Sequence, residues 1–223
     1  MSKVFITDYI TSAKIEKRIL GNSLTNKIKN NISILLVWHQ RVDKDYLDKF
    51  PKLKAIIRYG VGYDNIDLKE LKRRKIIFCN TPDYGVDEVS DTTIAMILNA
   101  VRGVNEYNFS SKKYINTWQE NIIKPIKRIS NLNLGVIGAG RIGSSVLLKA
   151  KALNFKTFFY DPYKENGYEK TINAIRYEKL DDLLKNCHII SIHTPLTNET
   201  LGLVNKNFLK KIKKNCIFIN TAR

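Results

Sequence analysis

Cysteine is scarce in this sequence, and the cysteines that it contains are far apart. Cys79, Cys187 and Cys216 are odd in number and form no C-x-x-C pair, which speaks against a disulfide framework and against a zinc site. No segment approaches the roughly eighteen uninterrupted apolar residues of a membrane-spanning helix, and the first residues lack the pattern of a secretion signal. We therefore expect a reducing, cytoplasmic environment, no membrane association and no metal site.

Acidic residues are few relative to basic ones. The sequence has 21 Asp and Glu against 38 Lys and Arg, a formal net charge of +17, which makes an acidic partner worth considering. The lysines are scattered, however, whereas nucleic-acid binders concentrate basic charge on one face or motif. The lysine-rich segment 206–214 fits a solvated helix face better than a nucleic-acid site, so nucleic acid is not the expected partner.

The first part of the chain alternates short apolar runs with polar, helix-like stretches. The runs at residues 4–6, 32–38, 53–58 and 75–80 predict a βαβα pattern, and unbroken apolar runs are typical of parallel strands covered on both faces. Helical spacing then predicts a helix over 87–102, with Asp87, Ser90 and Asp91 available to cap its first turn. A second helix and a crossing into another domain are expected within 104–130. We place the domain boundary after residue 101, which gives domains 1–101 and 102–223.

The second domain shows a regular α/β alternation. Strands are predicted at 134–138, 156–160, 174–177, 189–193 and 216–220, and helices at 142–153, 180–185 and 207–212. This order is βαβαβ followed by a further αβ unit, which is the pattern of a doubly wound sheet.

A glycine fingerprint lies where the first of these strands meets its helix. Gly138, Gly140 and Gly143 form G-x-G-x-x-G, and Asp161 follows the next strand 18 residues after the last glycine, close to the usual spacing of a dinucleotide-binding unit. In such units the glycines give a tight turn, backbone approach to a pyrophosphate and close packing of helix and strand. Asp161 can accept hydrogen bonds from a ribose diol and would repel a 2′-phosphate, which favours NAD over NADP.

Polar segments also follow the later strands of this domain. His193-Thr194-Pro195-Leu196-Thr197 and Asn220-Thr221-Ala222-Arg223 should lie at the same crevice, because ligands of open α/β sheets bind beyond the carboxyl ends of the strands. The Arg223 guanidinium could hold a substrate carboxylate or polarise a carbonyl group. A surface arginine without a function is the alternative at that position.

Four further motifs are RYGVGYDNID at 58–67, CNTP at 79–82, VSD at 89–91 and YDPY at 160–163. These motifs and the segments above follow one another along the chain in the order found in one protein family. The sequence resembles the D-isomer-specific 2-hydroxyacid dehydrogenases, nearest to the phosphoglycerate dehydrogenase and C-terminal-binding-protein branch. The resemblance implies an α/β protein with a flavodoxin-like substrate domain and a Rossmann NAD-binding domain, here incomplete at its C-terminus, through which the family dimerises.

The resemblance also implies residue roles. Substrate contacts are expected from Gly60, Val61, Gly62 and, in some relatives, Tyr84, with Val61 also near the cofactor. Cofactor contacts are expected from Gly138, Gly140, Arg141, Ile142, Gly143, Asp161, Pro162, Thr194, Pro195, Thr200, Thr221, Ala222 and Arg223, of which Arg223 matches the catalytic arginine.

One departure from the family leaves two interpretations open. The family's acid/base histidine and its glutamate lie downstream of the arginine, and Arg223 is the last residue of this sequence. His39, His188 and His193 are not expected to replace that histidine. We expect an NAD-dependent oxidoreductase acting on a D-2-hydroxy acid and its 2-keto acid. The alternative is a catalytically impaired protein that binds or senses NAD(H).

Overall fold

A computed structural model describes residues 3–8, 12–112 and 126–222 of the chain, and the statements below refer to these residues. The chain divides into two compact units between Gly85 and Val86. Residues 113–125, which belong to the predicted crossing within 104–130, lie outside the described part. No helix in the described part is long and apolar enough to cross a membrane, and the three cysteines are free thiols.

The first unit is a parallel sheet with short helices. Its strands are β1 (Lys3–Ile6), β2 (Leu24–Thr25), β3 (Ile32–Val37), β4 (Ala55–Arg58) and β5 (Ile77–Asn80), and its helices are α1 (Lys14–Leu20), α2 (Lys44–Leu47) and α3 (Leu68–Arg73). The strand order is β2-β1-β3-β4-β5, and every pairing is parallel. This is the flavodoxin-like order of a doubly wound sheet.

Local sequence explains the start of two of these helices. The Asp43 carboxylate accepts a hydrogen bond from the Tyr46 N–H at the start of α2, and the Asp67 carboxylate accepts one from the Glu70 N–H at the start of α3. Each cap satisfies a backbone donor that has no partner within its helix. The core beneath them is apolar and contains Leu35, Val37, Leu47, Ile56 and Leu71.

The second unit contains a second parallel sheet. Its strands are β6 (Asn133–Ile137), β7 (Lys156–Tyr160), β8 (Ile175–Arg176), β9 (Ile189–Ile192) and β10 (Ile217–Asn220). Its helices are α4 (Val86–Arg102), α5 (Val104–Ser111), α6 (Arg141–Ala152), α7 (Tyr168–Thr171), α8 (Leu180–Asn186) and α9 (Lys206–Lys211). The order β10-β9-β6-β7-β8 is the Rossmann order, and the direction of strand addition reverses beside β6.

The ends of the predicted strands lie close to those in the structure, but the domain boundary differs from the prediction by sixteen residues. Helix α4 belongs to the second unit, because its buried residues Ile94, Ile97 and Val101 share a core with Leu134 and Val136 of β6. The predicted boundary after residue 101 is therefore displaced to Gly85. A helix alone does not reveal which of two flanking sheets it will cover.

The predicted caps of α4 also differ from the structure. The helix begins at Val86, so that Asp87, Ser90 and Asp91 lie inside it. Ser90 is buried and accepts hydrogen bonds from the Ser145 hydroxyl at 3.0 Å and the Lys149 ammonium at 2.7 Å, both on α6. Ser90 joins the two helices instead of capping one of them.

Two of the thiols are shielded by the core of the second unit. The Cys187 sulfur lies 2.6 Å from the position that a Cβ atom on Gly135 would occupy, so glycine in β6 leaves room for it. Burial raises the pKa of Cys187 to about 12 and that of Cys216 to about 11. Cys79, by contrast, is exposed on β5, at the edge of the first sheet.

Candidate functional site

The glycine loop of the second unit connects β6 with α6, and two of its glycines are required by the protein itself. Gly138 has φ of +89°, in the region that favours glycine. A Cβ atom on Gly143 would lie 2.0 Å from the Gly138 carbonyl oxygen, because the first turn of α6 packs directly on the end of the strand. Both glycines thus have an internal structural reason.

Gly140 has no such reason. Its backbone is extended, with φ of −73° and ψ of −161°, which other residues adopt readily. Apart from its two chain neighbours, no described residue has an atom within 4 Å of the position of a Cβ atom there. The N–H groups at the start of α6 adjoin this open space, and such a helix start favours phosphate groups. The geometry therefore fits a pyrophosphate that approaches the backbone at Gly140.

Asp161 is fixed against the glycine loop from the end of β7. The residue is 8% exposed, and its two carboxylate oxygens accept hydrogen bonds from the Ala139 N–H at 2.9 Å and the Tyr163 N–H at 3.0 Å. Each oxygen of a carboxylate can accept more than one hydrogen bond. The carboxylate is thus positioned by the backbone and retains capacity to accept the hydroxyl groups of a ribose.

Two residues that the sequence motifs did not indicate, Ser144 and Tyr168, stabilise the glycine loop through the Ala139 carbonyl oxygen. The Ser144 hydroxyl donates to the Ala139 carbonyl oxygen at 2.9 Å and lies 2.7 Å from the Tyr168 hydroxyl. The Tyr168 hydroxyl also donates to that carbonyl oxygen at 3.3 Å. A serine directly after the last glycine was the available sequence signal, whereas Tyr168 comes from α7 and could not be assigned from local pattern.

The basic residue of the fingerprint lies beside this open space. Arg141 is the first residue of α6 and is exposed, and Ile142 is partly buried against the core. An exposed guanidinium at a helix start can add positive charge to that of the helix dipole. Pro162, directly after Asp161, is exposed.

The loop after β9, residues 194–200, is closed by one of its own threonines. The Thr200 hydroxyl donates to the Pro195 carbonyl oxygen at 2.5 Å and accepts from the Thr197 N–H at 2.8 Å. At its start, Thr194 packs on Gly138, since its Cγ2 atom lies 3.0 Å from the position of a Cβ atom there. The hydroxyl of Thr200 therefore shapes the loop.

His193 precedes this loop and is not suited to donate a proton at neutral pH. Its Nε2 atom lies 2.8 Å from the Ser191 hydroxyl, and burial lowers its pKa to about 4. The ring is therefore neutral near pH 7. His188, at the other end of β9, accepts a hydrogen bond from the Asn133 N–H through Nδ1 at 3.0 Å.

The segment after β10 is anchored to α4. The Thr93 hydroxyl donates to the Val89 carbonyl oxygen at 2.8 Å, so the Thr221 hydroxyl, 3.0 Å away, is the donor to Thr93. The Ala222 N–H donates to the Asn220 side chain at 2.9 Å. Arg223, the predicted catalytic residue, lies outside the described residues.

In the first unit, the 60–62 loop follows β4 and is shaped by two partly buried contacts. Gly60 has φ of +148°, and a Cβ atom there would lie 1.4 Å from the Arg58 guanidinium, which donates to the Tyr59 carbonyl oxygen. The Gly60 N–H donates to the Thr81 hydroxyl at 2.6 Å. That N–H group is therefore already occupied within the first unit.

The next two N–H groups of this loop have a different orientation. The Gly60 carbonyl oxygen accepts from the Thr81 N–H at 3.3 Å, and the Val61 carbonyl oxygen accepts from the Asn80 amide at 2.9 Å. In a trans peptide the N–H points opposite to the carbonyl group. The N–H groups of Val61 and Gly62 thus point away from residues 80–81, as a small anion site would require.

The neighbouring loop after β3 is held by one carboxylate. Asp8 accepts hydrogen bonds from the N–H groups of Trp38 at 2.9 Å, of His39, and of Gln40 at 3.1 Å. Partial burial alone would raise the pKa of Asp8, but these bonds and one from the Thr7 hydroxyl lower it. Asp8 therefore fixes this loop at the carboxyl edge of the first sheet.

Tyr84 lies close to the end of the first unit, and its side chain is 67% exposed.

Within the described residues, no group of three or more His, Cys, Asp or Glu side chains is placed to hold a metal ion.

Comparison with protein families gives a match over the second unit. The model described as "D-isomer specific 2-hydroxyacid dehydrogenase, NAD binding domain" matches residues 94–223, which is more than half of the chain. The matched region includes the glycine loop, Asp161 and both of the loops that follow β9 and β10.

Individual relatives match nearly the whole chain. The glyoxylate reductase of Pyrococcus horikoshii is 32% identical over 216 residues, covering 93% of this chain and 63% of the relative. That of Thermococcus litoralis is 33% identical over 206 residues, covering 90% of this chain and 61% of the relative. The crystal structure of D-lactate dehydrogenase from Aquifex aeolicus complexed with NAD and lactic acid is 29% identical, with a TM-score of 0.88, covering 100% of this chain and 69% of that one. The chain thus spans less than two thirds of the length of the two glyoxylate reductases.

Proposed function

Because the chain belongs to the D-isomer specific 2-hydroxyacid dehydrogenase family, we propose that it acts in hydride transfer between NAD(H) and a D-2-hydroxy acid or its 2-keto acid. Membership confirms the resemblance that the sequence motifs indicated, and the fold class expected from them is confirmed by the match to the Aquifex aeolicus structure. NAD is the cofactor of the domain type that residues 94–223 form.

The open space at Gly140 is the observation that carries this proposal. Apart from its chain neighbours, a Cβ atom there would meet no described atom, so packing does not require glycine at this position, whereas a pyrophosphate that approaches the backbone would require it. Asp161, fixed against the same loop, would accept the ribose hydroxyl groups and disfavour a 2′-phosphate. Arg141 and Ile142 would contribute N–H groups and charge to the pyrophosphate.

The remaining predicted residues would complete the cofactor and substrate contacts. Pro162 would adjoin the adenosine, Thr194, Pro195 and Thr200 would line the cofactor through their loop, and Thr221 and Ala222 would lead to Arg223. By the family resemblance, Arg223 would polarise the keto oxygen. The N–H groups of Val61 and Gly62 would hold the substrate carboxylate, supported by their orientation away from residues 80–81, with Tyr84 as a further contact.

When bound, NADH would supply a hydride to the carbonyl carbon of the keto acid, and the keto oxygen would take up a proton, which by the family resemblance comes from the histidine downstream of the arginine. His193 would not donate that proton, because its low pKa leaves it neutral at neutral pH. The names of the similar proteins, glyoxylate reductase and D-lactate dehydrogenase, favour a small 2-keto acid as substrate.

The test has a binding stage and a turnover stage. NADH is titrated into the 223-residue chain by calorimetry, with Asp161→Ser as the comparison, and NADH oxidation is then followed with a panel of 2-keto acids from glyoxylate upward. We expect NADH binding that weakens in the variant, and turnover with a small keto acid would support the oxidoreductase. Binding without turnover would contradict the oxidoreductase and favour the NAD(H)-binding alternative. Absence of binding would overturn both.

We further propose a cytoplasmic homodimer that associates through the second unit. The proposal follows the family resemblance and is supported by the exposed apolar residues Met96 on α4 and Val104 on α5, which are 44% and 53% exposed. The three free thiols fit a reducing compartment. Light scattering after size-exclusion chromatography measures the mass in solution, and a strict monomer would contradict the dimer.

A further inference from the structure

The loop after β7 and the loop after β9 are joined by a side-chain contact that no sequence motif predicted. The Tyr163 hydroxyl donates to the Glu199 carboxylate, and the Tyr163 N–H donates to Asp161. Asp161 in turn accepts from Ala139 in the glycine loop. A continuous series of hydrogen bonds therefore connects the segments that follow β6, β7 and β9.

The strand order gives this contact its position. β6 lies between β9 and β7 in the sheet, so a loop that leaves β9 and contacts the loop after β7 passes the carboxyl end of β6. The 194–200 loop begins against Gly138 and reaches Tyr163 through Glu199. The distal part of this loop is consequently linked to Asp161 through Tyr163, and Asp161 marks the ribose side of a Rossmann crevice.

The charges around Tyr163 are mainly negative. The carboxylates of Glu199 and Asp161 both raise the pKa of the Tyr163 hydroxyl, after the hydrogen bond to Glu199 and desolvation. The nearest lysine of this loop, Lys164, has its ammonium 4.4 Å from the centre of the Tyr168 ring. The Arg176 guanidinium donates to the Lys164 and Glu165 carbonyl oxygens, and Arg141 is exposed at the start of α6.

We propose that Glu199, held by Tyr163, is a second acidic determinant of cofactor choice and disfavours NADP by repelling its 2′-phosphate. This inference rests on the proposed function, since it concerns the same cofactor site. Asp161 already accepts two backbone N–H groups, which offset part of its charge. Glu199 receives its hydrogen bond from the neutral hydroxyl of Tyr163, whose own N–H donates to Asp161, and so adds a second acidic side chain to this part of the crevice.

The test measures dissociation constants of NADH and NADPH for wild type, Glu199→Gln, Glu199→Asp and Tyr163→Phe by fluorescence at fixed ionic strength. Glu88→Gln on α4 is the matched control, because it removes the same charge from an exposed glutamate of another element. We expect Glu199→Gln to lower the ratio of the NADPH to the NADH dissociation constant about two- to fivefold, the range of exposed charge pairs. Tyr163→Phe and Glu199→Asp, which keep the charge and disturb its contact, should lower it less, and Glu88→Gln should leave it unchanged.

The dependence on salt and the Asp161→Ser variant distinguish a failure of the Glu199 proposal from a failure of the proposed cofactor site. The effect of Glu199→Gln should shrink as ionic strength rises, because exposed charges are screened. If Asp161→Ser changes the ratio and Glu199→Gln does not, the role of Glu199 is overturned while the cofactor site stands. If the wild-type chain binds neither coenzyme, the proposed function fails and this inference fails with it. Circular dichroism of each variant checks that the fold is retained.

Discussion

The contrast between Gly140 and Gly143 gives a sharp prediction, because the same substitution should have opposite consequences three residues apart. In Gly140→Ala, the added methyl group meets no described atom. Alanine reduces the freedom of the unfolded chain, which stabilises the folded state by about 0.4–1 kcal/mol. Alanine at a helix N-cap, however, lowers the stability of the folded state by roughly 0.5–1 kcal/mol relative to glycine. The two terms nearly cancel, so the free energy of unfolding should stay within about 0.5 kcal/mol of wild type.

Cofactor affinity should behave differently in the same variant. A methyl group in the space of the pyrophosphate is an overpacking change, and such changes cost about 1–3 kcal/mol. The NADH dissociation constant should therefore rise about five- to hundredfold. Gly143→Ala, by contrast, brings its Cβ to 2.0 Å from a backbone oxygen and should lose about 2 kcal/mol or more of stability.

Urea denaturation followed by circular dichroism gives the stability of both variants, and NADH fluorescence gives the affinity. Gly140→Ala with wild-type affinity would refute the assignment of that open space to the pyrophosphate. Gly140→Ala with strongly reduced stability would refute the claim that only a ligand requires glycine there. A stable Gly143→Ala would show that α6 can move away from the strand.

Three further variants test other parts of the chain. Asn80→Ala should weaken the binding of oxamate, a keto acid analogue, to the NADH complex about three- to tenfold, because the Gly62 N–H loses its orientation. The affinity for NADH itself should stay unchanged. Calorimetry measures both affinities, and an equal loss of oxamate and NADH affinity would contradict this role. Asp8→Asn should lower the free energy of unfolding by about 1–2 kcal/mol at pH 7. Because the pKa of Asp8 is lowered by folding, that difference should be present above about pH 4 and vanish as the pH falls; a pH-independent difference would contradict it. His193, with its pKa lowered to about 4, should destabilise the fold as the pH falls from about 6.5 to 4, and His193→Gln should remove this part of the acid sensitivity in denaturation curves.

The sequence allowed prediction of features that depend on short-range pattern. The G-x-G-x-x-G loop, Asp161 after β7 and the strands around them were predicted because backbone geometry restricts residue types over a few positions. The contact between Thr93 and Thr221 was not predictable, because it joins residues 128 positions apart. The link from Tyr163 to Glu199 was missed for the same reason.

The domain boundary shows a different limit. The apolar spacing of α4 indicated a helix, but the pattern of an amphipathic helix does not show which sheet the helix will cover. Contacts of Ile94 and Ile97 with β6 residues decide the matter, and these form only in the folded chain. The predicted caps at Ser90 and Asp91 failed because serine within a helix also suits a buried junction between helices.

The unequal shielding of the three thiols has a practical consequence for spectroscopy. Cys187 and Cys216, with pKa values of about 12 and 11, form almost no thiolate at pH 8 and should resist maleimide reagents. Cys79 is exposed on an edge strand, so a dye should attach there selectively in the native protein. That dye would lie one residue from Asn80, whose amide holds the Val61 carbonyl, and its emission would report on occupancy of the neighbouring loop without any engineered cysteine.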